Sequence, residues 1–386
     1  MKYQEYGDEF LFDDFPTICN PTQKVFLTHL NTQLKLPKII PKIYTTQILA
    51  KQFITYLNCK GFVEIYETHF IILTPFQPYK LRCNDGSILK VLICESNDIS
   101  HQLMVLFYKV FFISERKVTH LYGGICTDIR TIILNEKFSE WIEHGVNKLY
   151  LNIKRNTNSC NPRSLNDALD EIENIIRNDE NITICIPTFG YEMFISKLSE
   201  RFRKRIVIEG PLLILYKNLD NMKYFIKSSV CNSKIVLTNQ ELTMQHLIND
   251  LGNKKIIKIV ENVQIFDKSI NNSGYYEIQW SPFPTPFHLK LLTGVTRPTK
   301  IIAISQSCEV DIQIPNYLYK LCSIKRHNIS LKINWEKKRE LAEKRTLPIT
   351  YMSANNTINR SKKKSSIYHI RKLNLCYLED GDSDNN

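Results

Sequence analysis

The sequence predicts an α/β protein made of two unlike stretches and a tail, and three observations carry that expectation. Short apolar or alternating runs recur through residues 10–122 with turn residues between them, which favours a sheet-rich half whose strands are buried as a sandwich. From Ser164 onward, strands and amphipathic helices alternate, the pattern of an α/β unit around a parallel sheet. After about residue 335 the chain turns to mixed Lys, Arg and Glu, then to Ser, Asn and Lys, with an acidic end at 379–384. Such a composition buries too little apolar surface to order itself, so a disordered tail is expected.

Phe10-Leu11-Phe12-Asp13-Asp14-Phe15 reads as a first strand closing in a paired acidic turn. A second strand, 25–27, runs into Thr28-His29-Leu30-Asn31-Thr32-Gln33-Leu34, and Lys42-Ile43-Tyr44 is a third that opens a helix over 46–57. Further strands are expected at 62–65, 70–73, 88–93, 103–112 and 118–122, and the character of the chain changes after Leu149-Tyr150-Leu151. Ser164-Leu165-Asn166-Asp167 is close to a capping box, and Leu165, Leu169, Ile172, Ile175 and Ile176 follow it at helical spacing. A strand at 182–186 turns through Pro187-Thr188-Phe189-Gly190 into a helix at 192–202, followed by a strand at 206–208. Strands at 256–260 and 276–280 flank a turn-rich loop at 267–274, and the chain has no internal repeat.

Composition narrows the function classes. At 386 residues the chain is long enough for about two domains. Its formal charge of +12 favours a polyanionic partner such as nucleic acid, or else a neutral globule with a basic tail. Eleven scattered cysteines without a Cys-x-x-Cys pair read as reduced thiols, not as a disulfide framework or zinc ribbon. The polar, acidic start at 1–8 is no signal peptide, and the longest apolar run, 103–113, is too short to span a bilayer and is broken by Lys109. A soluble intracellular protein with no membrane partner is therefore expected. No Walker-type or Gly-x-Gly-x-x-Gly loop occurs, and His69, His101, His120, His144, His246 and His288 stand without metal-like spacing.

One run of motifs carries more than composition does. Thr28-His29 ends a strand. Asp98 precedes Leu103-Met104-Val105-Leu106-Phe107. Leu121-Tyr122 and Thr127-Asp128-Ile129-Arg130 flank a Gly123-Gly124 insertion. Leu149-Tyr150-Leu151-Asn152 is followed by Thr157-Asn158-Ser159-Cys160-Asn161-Pro162, and Gly190-Tyr191-Glu192 and Ser281-Pro282-Phe283-Pro284-Thr285 come later. In this order the motifs resemble those of the metallo-β-lactamase/β-CASP nucleases, most closely the Apollo type of the Artemis/Apollo DNA-repair branch.

The resemblance implies an αββα sandwich with an inserted α/β β-CASP domain. The sandwich would fill 1–160 and return at 263–335, the insert would fill 161–262, and the basic tail would be 336–386. It also implies a zinc site, whose ligand positions here read His29, Asn31, Gln33, Leu34, Asp98, Asp128, Asn152 and Phe283. His29 and Asp128 keep their type as metal ligands; leucine and phenylalanine offer no lone pair, so the metal is expected to be lost or weakly held. The implied role is a pseudo-nuclease that binds DNA ends or repair or telomere proteins in the nucleus. The alternative is an active 5′-to-3′ exonuclease with a site rebuilt from His29, Asp98, Asp128 and Asp13 or Asp14. Candidate phosphate contacts are the basic clusters Arg201, Arg203, Lys204, Arg205 and Lys337, Lys338, Arg339, which solvated helix faces also produce.

Overall fold

The computed structural model describes residues 10–15, 22–30, 36, 39–59, 61, 66–110, 118–153, 163–176, 181–217, 219, 222–227, 235–239, 254–260, 274–304 and 314–322. The expected strand at 62–65 and the whole tail lie outside them.

Four short strands run side by side and parallel in chain order: β1 (Phe10–Phe12), β2 (Lys24–Phe26), β3 (Lys42–Thr45) and β4 (Phe70–Ile72). Successive side chains point to opposite faces of a strand, which sorts these residues into two cores. Leu11, Val25 and Ile43 meet Leu49, Ala50, Phe53 and Leu57 of α1 (Gln47–Cys59), whose three- and four-residue spacings form one helical stripe. Phe10, Phe12, Phe26 and Tyr44 point the other way, into a core shared with a second sheet.

That second sheet begins with β5 (Pro78–Arg82), β6 (Ile88–Glu95), β7 (Leu103–Val110) and β8 (His120–Tyr122), all antiparallel, and continues with β9 (Lys148–Asn152), parallel to β8. Val91, Ile93, Val105, Phe107, Tyr122 and Tyr150 face the first sheet. Aromatic rings fill the gap: Phe12 lies 4.7 Å from Tyr122, 5.2 Å from Phe107 and 5.3 Å from Phe26. On the outer face, two helices that the sequence pattern did not reveal, α2 (Ile129–Ile133) and α3 (Glu136–Ile142), bury Ile129, Ile132, Phe138 and Trp141. Trp141 packs 5.1 Å from Tyr108 of β7.

The chain then leaves the sandwich. α4 (Leu165–Ile176), β10 (Asn181–Ile186), α5 (Glu192–Phe202), β11 (Ile206–Ile208), α6 (Pro211–Lys217), β12 (Ile226–Lys227), β13 (Ile235–Asn239), β14 (Lys254–Val260) and β15 (Tyr275–Gln279) build a third sheet. It is wholly parallel, in the order β12-β11-β13-β10-β14-β15. Ile182, Ile184 and Ile186 of its central strand pack on Leu169 and Ile172, Phe194 and Leu198, and Leu212 and Leu215 from the three helices. Ile48 and Tyr56 of α1 join this core as well, so one helix serves the sandwich and the insert together.

β15 corrects an expected boundary. The strand at 276–280 was to open the sandwich's return segment at residue 263, but Tyr275 pairs with Ile256 and Gln279 with Val260 inside the parallel sheet. The return comes later, through α7 (Pro286–Thr296) and β16 (Lys300–Ile304), which lies parallel beside β9 with Lys300 opposite Lys148. A short helix, α8 (Asn316–Tyr319), follows. The described residues form an α/β structure with one mixed and two parallel sheets.

Candidate functional site

β1 and β2 are parallel, so their carboxyl ends lie together, the usual place for ligand-facing loops in parallel sheets. At the end of β1, Asp13 takes φ +49° and donates its N–H to the carbonyl of Phe26 at 2.9 Å. That bend carries its carboxylate over the end of β2. Oδ1 accepts from the Thr28 N–H at 2.6 Å, Oδ2 accepts from the Thr28 hydroxyl at 2.5 Å, and His29 Nδ1 lies 3.3 Å from Oδ2. Both acid and imidazole are buried, their side chains only 5% and 6% exposed. Burial pushes the Asp13 carboxyl up, but the His29 charge and the hydrogen bonds from His29 and Thr28 outweigh it and hold the group below its usual range. The Tyr122 hydroxyl is pushed well up by burial and by Asp13, to which it is hydrogen-bonded.

With Nδ1 turned toward Asp13 and Thr28, the other ring nitrogen of His29 is presented elsewhere. Nε2 is buried without a hydrogen-bond partner. The ring borders a cavity of about 20 Å³, enough for a water molecule, which needs ~10–15 Å³. The far wall comes from the insert: Phe189 and Gly190 from the turn after β10, and Glu192, the first residue of α5. α1 contributes Gln52, whose Nε2 lies 3.5 Å from Glu192 Oε1. Ser100 and Gln102 from the β6–β7 loop, Ile125 from the turn after β8, and the apolar Leu30 and Leu49 complete it. Glu192 is 4% exposed, and its carboxyl is pushed up to about 7, first by burial and then by the Asp98 charge, against the pull of its own N–H, His101 and Gln52. The site is a small chamber, its lining more apolar than polar, with an oriented imidazole on one side and on the other a carboxyl that titrates near neutrality.

Of the positions expected from sequence, His29 borders this chamber. Asp98 stands outside the wall and folds its own loop, its Oδ1 accepting from the Ser96 hydroxyl and the Ser100 N–H, each at 2.9 Å, and from the Ser100 hydroxyl. Asp128 does not join His29. Its Oδ2 accepts from the Asn97 N–H at 3.0 Å and from the Thr131 hydroxyl at the start of α2, and Ile125, three residues earlier, takes the cavity position. Asn152 is buried at the end of β9, and the half-buried Phe283 donates its N–H to Ser281 Oγ at 3.4 Å. Asn31, Gln33 and Leu34 lie outside the described residues.

Among the described residues no three His, Cys, Asp or Glu side chains gather where they could hold a metal ion. The described residues do not fit the zinc site that the motif order implies: Asp98 serves its own loop, Asp128 takes the N–H of Asn97 and the Thr131 hydroxyl, and an isoleucine faces the chamber. Three of the other isolated histidines have structural surroundings, and His246 lies outside the described residues. His120 stacks on Phe107 at 5.5 Å, His101 Nδ1 lies 3.1 Å from Glu95, and His288 Nδ1 accepts the Thr285 N–H in the capping box of α7.

The basic cluster at the end of α5 is partly neutralised. Arg201 Nε donates to Glu173 at 2.9 Å and its guanidinium also pairs with Asp170, both on α4. Arg203 caps the helix in the left-handed region at φ +50°, while Lys204 and Arg205 are exposed. Lys337, Lys338 and Arg339 lie outside the described residues. Glu192 and Gln52 were missed as site residues. In Gly190-Tyr191-Glu192 the signal is an acid that opens a helix after a glycine turn.

No model of a known protein family matches this chain, and no curated protein matches it. Among solved structures, a protein of unknown function from Enterococcus faecalis V583 superposes with a TM-score of 0.48 at 14% identity, over 73% of this chain and 75% of that one. A likeness this distant carries no argument about function. Among the described residues no helix is long and apolar enough to cross a membrane.

Proposed function

We propose that this chain is a catalytically silent relative of the metallo-β-lactamase/β-CASP nucleases, of Artemis/Apollo type, that binds DNA or a repair or telomere partner in the nucleus. The reading rests on motif order. The arrangement of sheets is compatible with it: helices flank a two-sheet sandwich, and the parallel-sheet insert departs after β9 and returns at β16, its neighbour. The single observation that carries the loss of catalysis is the chamber wall. Beside His29 it is lined by Leu30, Leu49 and Ile125, whose side chains have no lone pair to offer a metal ion. The +12 charge of the whole chain favours a polyanion.

The test is the metal content of the purified full-length protein, measured beside DNA binding and cleavage. Background metal, salt-dependent binding and no digestion are expected. Stoichiometric zinc that is lost in His29→Ala, together with divalent-metal-dependent digestion, would replace this reading with the exonuclease one. Absent or salt-insensitive DNA binding would remove its DNA half.

A further inference from the structure

We propose that the outer face of β5 and β6 is a docking surface for the phosphate backbone of DNA. The inference rests on the reading of the chain as a DNA-binding protein and adds where, and through which chemistry, the DNA is held. Strand alternation builds the face. Tyr79 and Leu81 of β5 and Leu89 and Val91 of β6 pack into the core between the two sheets, so Lys80, Arg82 and Lys90 point outward. In the antiparallel pair Lys80 stands directly opposite Lys90, and Arg82 follows two residues along β5, about 7 Å further on. Lys80 and Arg82 are exposed; Lys90 is half-buried, with Nζ 5.5 Å from the ring centroid of Tyr108 in β7.

Like charges directly opposite each other in a sheet destabilise it. Among the described residues no carboxylate pairs with Lys80, Arg82 or Lys90 to offset that cost. Asp85, in the turn that joins the two strands, accepts instead from Lys109 and Ser87. On α3, whose Trp141 packs on Tyr108, Glu140 is held by Lys137, and neither Glu136 nor the following Glu143 is ion-paired with the three cations. The Tyr108 ring orients the Lys90 ammonium without supplying a full counter-charge. Lysines on an edge strand block sheet-to-sheet association, and β5 is such an edge; β6 is an interior strand, so that role leaves Lys90 unexplained. Three cations fixed at strand spacing fit a partner whose negative charge repeats at regular intervals. A nucleic-acid backbone does so, whereas an acidic protein presents carboxylates at no fixed interval. Contacts to phosphate alone carry no sequence information, so binding here is independent of sequence.

The test uses the full chain and fluorescence anisotropy with labelled DNA duplexes of two unrelated sequences and a labelled polyglutamate, over a range of salt. The variants are Lys80→Gln, Arg82→Gln and Lys90→Met, the last keeping an unbranched stem over Tyr108. Arg201→Ala, a cation already paired with Asp170 and Glu173, controls for net charge. Each of the three should weaken duplex binding by roughly 5- to 10-fold near about 0.1 M salt and lower the salt slope by about one unit, equally for both sequences. The control should hardly move. Without DNA, Lys80→Gln should melt no lower than wild type in low salt, because it relieves the facing charge; a lower melting point overturns the claim that this pair opposes folding. Duplex binding unchanged in the folded variants overturns the face while leaving the DNA-binding reading intact. Should Lys90→Met unfold, the exposed Lys80 and Arg82 decide this on their own. Polyglutamate bound as tightly as DNA overturns the choice of partner, and unequal effects on the two duplexes overturn the phosphate-only contact. Failure of the wild type to bind DNA removes the reading itself and the face with it.

Discussion

Asp13 on the sandwich and Glu192 on the insert are both buried carboxylic acids on either side of the same imidazole, and they ionise in opposite directions. Burial raises both. What separates them is the number of groups that favour the charged form. Asp13 receives a backbone N–H and a hydroxyl from Thr28 and faces His29, whereas Glu192 has its own N–H and one amide at 3.5 Å. Burial alone therefore does not decide protonation; the local supply of donors does. The sandwich side is organised around a fixed anion, and the insert side around a retained proton.

The strongest way to break this contrast is Asp13→Ala. It strips partners from Thr28 and His29 in a buried setting, and a loss of about 3–5 kcal/mol is expected in urea unfolding. The pH dependence has a definite sign. The folded-state value of Asp13 is lowered, so its stabilisation is present above the ordinary value of 3.8 and is lost as pH falls through the folded value.

Glu192→Gln should do the reverse. A group raised from 4.5 to about 7 contributes stability below pH 4.5 that is lost as pH rises through 7. The glutamine variant should therefore be more stable than wild type by roughly 3 kcal/mol at pH 8, with the gain vanishing at acidic pH. Melting curves at both ends of the range check this; a gain independent of pH would break the comparison.

A backbone change sharpens it. Gly124 has φ +55°, and a Cβ there would stand 2.9 Å from Thr28 Oγ1 and 3.0 Å from the Leu103 carbonyl. Gly124→Ala should cost about 2 kcal/mol by pressing on the hydroxyl that serves Asp13. Chemical denaturation measures it. The smallest effect is expected for Arg201→Ala. Its charge already meets Asp170 and Glu173 on an exposed face, so stability should fall by less than about 1 kcal/mol. DNA affinity should hardly move in an anisotropy titration.

Much of the architecture was legible in the sequence where the period was clean. β1 to β3, α1, β10 and α5 lie where apolar spacing puts them, give or take a residue or two. The helix α7 was not legible because Thr293, Gly294, Val295 and Thr296 carry low helix propensity, and it is held instead by burial of Leu289, Leu291 and Leu292 and by its capping box. β15 was legible as a strand but not as a member of the parallel sheet, since local alternation says nothing about which neighbour a strand will choose. In the site, the Thr-His turn marked His29. Asp128 takes the Asn97 N–H and the Thr131 hydroxyl as partners, and spacing along the chain does not reveal such a pairing. Glu192 was hidden because its significance depends on contact with Gln52, 140 residues away in sequence.

α1 belongs to two cores at once, with Leu49, Phe53 and Leu57 turned to β1–β3 and Ile48 and Tyr56 turned to the insert. A helix clamped on both sides can shed its amide protons only when one of its two supports gives way. In hydrogen exchange, α1 should therefore behave as a gauge of the weaker neighbour: if the parallel sheet opens as a unit of its own, amides along the Tyr56 side will exchange with it while those facing β2 stay protected.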